Sequence, residues 1–244
     1  MSTDRRFDPA DSRTGEASPS AAGRIRNLPP EDELPIFVTN TGDEATPVGR
    51  FHYATLLHSR PQILTAWRVS SGDPSVLHRV AELLGVHAGN PGARPFGEVV
   101  TDATTVDVIL SDPSAIDLRW YLSNERTCDQ RGECRCPPAL SDRRRAARAG
   151  RGCEPRVQIC FRLYQDTDLG AFSLVSGSWS LVEDATTARR TLGTTNGPVV
   201  AQLALEKCLF TLRGHGRVAY TRPRLIAGRR ASTPTIRERR ADHP

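Results

Sequence analysis

Residues 128–153 read CDQRGECRCPPALSDRRRAARAGRGC, which holds four of the chain's six cysteines and, counting Arg126, eight arginines, with almost no apolar side chains. Such a segment cannot bury a core of its own, so a flanking fold, a metal or a disulfide has to hold it. Gly132 and Pro137-Pro138 make it a stiff, turned loop. After it, RVQICFRLYQ places Val157, Ile159, Phe161 and Leu163 in alternation with Gln158, Cys160, Arg162 and Tyr164, the pattern of a half-buried strand. The cysteine segment therefore reads as an insertion, 126–154, between strands of a sheet.

The remaining chain supplies that sheet. IFVT (36–39) and RFHYATLLHS from Arg50 read as strands joined by TGDEATPVG, and EVVT and TTVDVILS as two more, with Val106, Val108 and Leu110 on one face. DPSVLHRVAELLG is the clearest helix: Asp73 or Ser75 caps it, Pro74 suits its first turn, Val76, Val80, Leu83 and Leu84 share a face, and Gly85 ends it. DLGAFSLVSGSWSLV reads as a strand pair or a strand bent at Gly177. A helix is expected from Asp184 as N-cap to Gly193, and another over PVVAQLALEKCLFTLRG, with Pro198 in its first turn and Val200, Leu203, Ala204, Cys208 and Leu212 on one side. RVAYTRPRLIAG closes the sheet as a strand whose Pro223 suits an edge. Helices do not alternate regularly with strands, which argues against a doubly wound parallel sheet. The expectation is an α+β fold with a β-rich core of mostly antiparallel strands, two or three helices and the cysteine-rich insertion; a small curled barrel is one way to arrange the strands. Residues 1–22 read as a disordered leader, 23–228 as one domain, and 229–244 as a flexible basic tail.

No apolar run approaches the roughly 20 residues that span a bilayer, and the N-terminal stretch lacks a signal peptide's apolar segment, so the expected compartment is the cytoplasm, with no membrane partner. Thiols there stay reduced, which disfavours a disulfide knot. Cys128, Cys134, Cys136 and Cys153 supply the four thiolates of a closed structural Zn²⁺ site, with an unusual spacing of five, one and sixteen intervening residues. A basic loop of free thiols is the alternative. Cys160 and Cys208 read as small packed hydrophobes.

The formal net charge is +5, and Lys207 is the sole lysine, so arginine usage follows a GC-rich composition as much as function. Arg143, Arg144, Arg145 and Arg148 form either a contact patch for DNA or a partner, or simply a solvated insertion. Aromatic residues make up 6% of the chain, too few for a dedicated base-stacking platform. The six histidines are scattered, and there is no H-E-x-x-H, G-x-S-x-G, Walker loop or G-x-G-x-x-G, so nothing asks for an enzyme.

The order of TCDQRGECRC, GC, EPRVQICFRLYQ, GAFSLVSGSWSLV and VAYTRPRLI, preceded by GRIRNLPP and RFHYATLLHS, resembles the recombination directionality factors of phage large serine integrases. The resemblance covers residues 23–228. It departs from the family pattern in the long RRRAARAGR insertion and at Arg156. It implies a non-catalytic partner of a phage-encoded integrase already seated on attachment-site DNA, which favours attL × attR excision over attP × attB integration and touches DNA only indirectly. A phage replication or single-stranded-DNA-binding accessory protein is the alternative.

Overall fold

The computed structural model describes residues 46–57, 60–86, 97–121, 128, 136–195, 197–212 and 216–230. The leader, the strand expected at 36–39, Cys134 and the tail beyond Arg230 lie outside the described residues. In chain order the elements are β1 (Gly49–Leu57), β2 (Arg60–Ser70), α1 (Pro74–Leu84), β3 (Glu98–Val100), β4 (Thr105–Leu110), a 3-10 turn (Pro113–Ala115), β5 (Ile116–Tyr121), α2 (Leu140–Arg148), β6 (Glu154–Leu163), β7 (Asp166–Ser176), α3 (Trp179–Thr195), β8 (Val199–Leu212) and β9 (Gly216–Arg230).

The nine strands form one sheet in the order β3-β2-β1-β7-β6-β4-β8-β9, with β5 pairing β6 off that path. All pairs are antiparallel except β1 with β7. The α+β, mostly antiparallel expectation holds, and the sheet is open: its ends, β3 and β9, do not pair to close a barrel. One side of β6 is divided between two neighbours. Its C-terminal end meets β4 through Val108↔Leu163, and its N-terminal half meets β5 through Ile116↔Ile159 to Tyr121↔Glu154. The sheet therefore splits along β6, and α3 packs on both branches, against β9 on one side and β5, β6 and the 3-10 turn on the other.

Alternation explains most of the core. In β6, Val157, Ile159, Phe161 and Leu163 are buried while the intervening side chains are not, and in β4 Val106, Val108 and Leu110 are buried, as the two-residue period requires. Phe51 of β1 sits at the centre, its ring edge-on to Trp67, Phe161 and Phe172 at centroid distances of 5.9, 5.3 and 5.6 Å. α1 begins as expected, with the Asp73 carboxylate accepting from the Ser75 amide at 2.8 Å, and buries Val76, Val80 and Leu84.

Three elements depart from the sequence pattern. β2 had no signal of its own because Ala66, Trp67, Arg68 and Val69 are buried in succession. A strand covered on both faces loses its alternation. The stretch after Pro198 is a strand, not a helix: Val199, Ala201, Leu203 and Leu205 point into the core. Val200 and Ala204 make its other face apolar too, so period alone could not separate the two readings; pairing with β4 from Thr105↔Ala204 to Leu110↔Val199 decides it. Finally, α3 starts at Trp179, five residues before Asp184, and continues through Gly193. Asp184 caps no helix. Its carboxylate instead accepts from Arg224 Nε at 2.7 Å, Arg224 Nη2 at 3.1 Å and the Leu225 amide at 3.0 Å, which fastens α3 to the edge strand β9.

Candidate metal centre and basic cleft

The insertion leaves the sheet at the end of β5 and returns at the start of β6, where Trp120 pairs Pro155 and Tyr121 pairs Glu154. Its two ends are thus held side by side by sheet hydrogen bonds. Cys128 turns back onto β5, its amide donating to Trp120 O at 2.7 Å. Cys136 precedes α2 and Cys153 follows it. Their sulfurs lie 3.2 Å apart, and the Cys153 amide donates to Cys136 Sγ at 3.4 Å.

Among the described residues, Cys128, Cys136 and Cys153 form a group whose sulfurs all lie within 4.8 Å of one another. A tetrahedral ion with metal–sulfur bonds of about 2.3 Å sets its sulfurs roughly 3.8 Å apart; Cys136 and Cys153 are free thiols somewhat closer than that, whereas Cys128 is disulfide-bonded and could join them as a metal ligand only once reduced. Cys153 is fully buried, and burial, followed by the neighbouring Cys136 thiol, pushes its pKa up to about 12. A cation would supply the charge that makes two such close sulfurs favourable as thiolates. Cys134, the fourth expected ligand, falls outside the described residues. Cys160 and Cys208 do not join the cluster; they are half-buried on strands β6 and β8, which corrects the helical placement of Cys208.

α2, LSDRRRAAR, carries the basic run of the insertion and is a helix with no buried residue. Its own packing cannot hold nine residues helical in water. Four features seat it. Leu140 packs against the core. Arg143 donates to Pro137 O at 3.0 Å and lays its guanidinium 4.3 Å from the centroid of the Trp120 ring, which in turn lies 5.5 Å from Trp179 at the start of α3. Gly150, at φ 71°, ends the helix in the left-handed region, with its amide donating to Ala147 O at 2.9 Å. Gly152 passes so close beneath the helix that a Cβ there would come within 2.7 Å of the Ala147 amide nitrogen.

The four arginines therefore separate by role. Arg143 is half-buried and structural, stacked on Trp120, whereas Arg144, Arg145 and Arg148 are exposed. These three, with Leu140, Ser141, Trp179 and Glu183, line a cleft of about 330 Å³ between α2 and the first turns of α3. Arg145 pairs with Asp142 at 3.2 Å. The cysteine group and the arginines, two features of one insertion in the sequence, are one unit in space: the sulfurs close the base of the helix that carries the basic side chains.

A model of the Gp3-like family, described as recombination directionality factor-like, matches residues 13–225, a span that contains both the cysteine group and the sheet. The chain belongs to this Gp3-like family. No solved structure matches it. For this Gp3-like protein the resemblance read from the cysteine loop and the GSWS stretch is thereby shown at the level of the family. Sequence reasoning missed Trp120 and Trp179 as partners of the insertion. The signal that could have linked them was their placement, one just before the cysteine segment and one at the start of the helix that follows the β6–β7 pair after it. No helix among the described residues of this Gp3-like chain is long and apolar enough to cross a membrane.

Proposed function

We propose that the protein is a recombination directionality factor that binds a phage-encoded large serine integrase on its attachment sites, activates attL × attR excision and opposes attP × attB integration. The observation that carries the reading is the family match over residues 13–225. In this reading the protein makes no and breaks no covalent bond; it works in the cytoplasm of the bacterial host, and the integrase supplies the nucleophile and most of the DNA contact. A factor of this kind must bind one arrangement of the integrase better than another, because equal binding to both shifts nothing. Zn²⁺ is the proposed metal, held by Cys128, Cys136 and Cys153 with Cys134 as the fourth ligand, since four thiolates make a closed structural zinc site.

The test is recombination in vitro with purified integrase. Addition of the protein should switch on attL × attR and suppress attP × attB. Unchanged recombination in both directions, together with a shift of single-stranded DNA by the protein alone, would replace this reading with that of a DNA-binding accessory protein. For the metal, elemental analysis of the native protein should give about one zinc per chain; absence of zinc with all cluster thiols titratable would remove it.

A further inference from the structure

We propose that the cleft between α2 and α3 is the docking site for an acidic segment of the partner protein, one that presents carboxylates about one helical turn apart beside an apolar side chain. The proposal rests on the reading of the protein as an integrase-binding factor and adds where, and by what chemistry, the contact is made.

The walls of the cleft specify that ligand. Arg144 and Arg148 are four residues apart on α2, so their guanidiniums emerge side by side, and Arg145 adds a third three residues from Arg148. No ion pair to Arg144 or Arg148 forms among the described residues, while Arg145 pairs with the partly exposed Asp142 at 3.2 Å. Guanidiniums take carboxylates through two parallel hydrogen bonds, and a pair of them one turn apart matches carboxylates with the same spacing on a facing helix. Trp179 and Leu140 give the cleft an apolar floor for an aliphatic or aromatic side chain. Arg and Trp lining a concave site are the residue types that concentrate binding energy at protein interfaces.

Glu183 sits in the same cleft as the three arginines and can accept a hydrogen bond from a donor on a protein ligand, which a phosphate backbone does not offer. A cleft also suits an inserted side chain better than the outer face of a duplex. The platform is rigid enough to preorganise the arginines, because Arg143 is stacked on Trp120 and Cys136 and Cys153 close the helix at its base.

The experiment compares the full-length protein with R144E/R148E and R144Q/R148Q, each checked for native near-ultraviolet circular dichroism, by fluorescence anisotropy against the purified integrase and against attachment-site duplex alone. The expected result is a loss of integrase affinity of at least about tenfold in the Glu pair, a smaller loss in the Gln pair, and no change toward duplex alone. Integrase affinity within about twofold of wild type in both variants would overturn the inference while leaving the factor reading intact. A loss of duplex binding in place of integrase binding would assign the cleft to DNA and also overturn it, as would a loss of self-association by sedimentation, which would assign it to a second copy. If the wild-type protein does not bind the integrase at all, the factor reading fails first and the docking site with it.

Discussion

At the scale of single residues, two buried polar contacts hold positions that apolar packing does not. Asp184 is 12% exposed at its side chain and accepts three hydrogen bonds, two from Arg224 and one from the Leu225 amide. Charge-assisted bonds of this kind are stronger than neutral ones, and removing Asp184 takes away the side-chain acceptor of the Leu225 amide and leaves Arg224 with Glu206 alone. Asp184→Ala should therefore lower unfolding stability by about 2 kcal/mol in urea titration, and Asp184→Asn, which keeps an acceptor, by about half that. His52 behaves differently. Its Nε2 lies 2.8 Å from Ser70 Oγ, and burial, then the charges of Arg68 and Arg50, lower its pKa from 6.5 to about 4. The folded state thus keeps His52 neutral while the unfolded chain takes up a proton near 6.5. Its contribution to stability is whole above that pH and is lost as pH falls from 6.5 toward 4. His52→Gln, which keeps a donor toward Ser70 but cannot titrate, should flatten this part of the decline in urea midpoints; an unchanged slope would show that other groups carry it.

At the scale of elements, α2 depends on its surroundings more than any other helix. The close pass of Gly152 under Ala146 and Ala147 leaves no room for a side chain. Gly152→Ala must push the helix off its seat or shift the return into β6, at a cost of roughly 1–3 kcal/mol. Because α2 reaches the tryptophans through Arg143, the same variant should change Trp fluorescence, whereas Ala149→Ser, at the exposed position just past the helix, should leave both readouts unchanged. How far each element was legible follows from how many of its faces are buried. β4 and β6 show strict alternation and were readable residue by residue, because one face meets the core and the other does not. α1 was readable from its cap, its proline and its stripe. β8 was not, since both of its faces carry apolar side chains over 199–205, and the Pro198 that opens it suits a first helical turn equally well. The start of α3 was hidden for another reason. Asp184 offers a capping side chain, but the protein spends it on β9, so the helix runs past it in both directions.

At the scale of the whole molecule, the sheet and the insertion are unequal in what holds them. The sheet has a continuous core from Phe51 to Leu225. The insertion contributes Leu140 to the margin of that core and otherwise rests on sulfur, stacking and backbone hydrogen bonds. The identity of the cysteines as a group was legible in the sequence from their number and from the lack of any other means of support. Their role as the base of a basic helix was not, because it depends on β5 and β6 bringing the two ends of the insertion together, a long-range pairing that local pattern does not encode. The inequality predicts how the molecule would respond to removal of the metal proposed for the cysteine group. In a domain whose core is built around the ion, removal unfolds the whole chain. Here Val157 and Ile159 of β6 are buried in the core of the sheet, so a strong chelator should melt α2 and leave the sheet standing. The expected signs are loss of the near-ultraviolet signal from Trp120 and Trp179, faster amide exchange over 140–148, and a global urea midpoint that moves little. Cys136→Ser should give the same pattern without chelator. Cooperative loss of the far-ultraviolet strand signal on metal removal would show instead that the cluster supports the core itself.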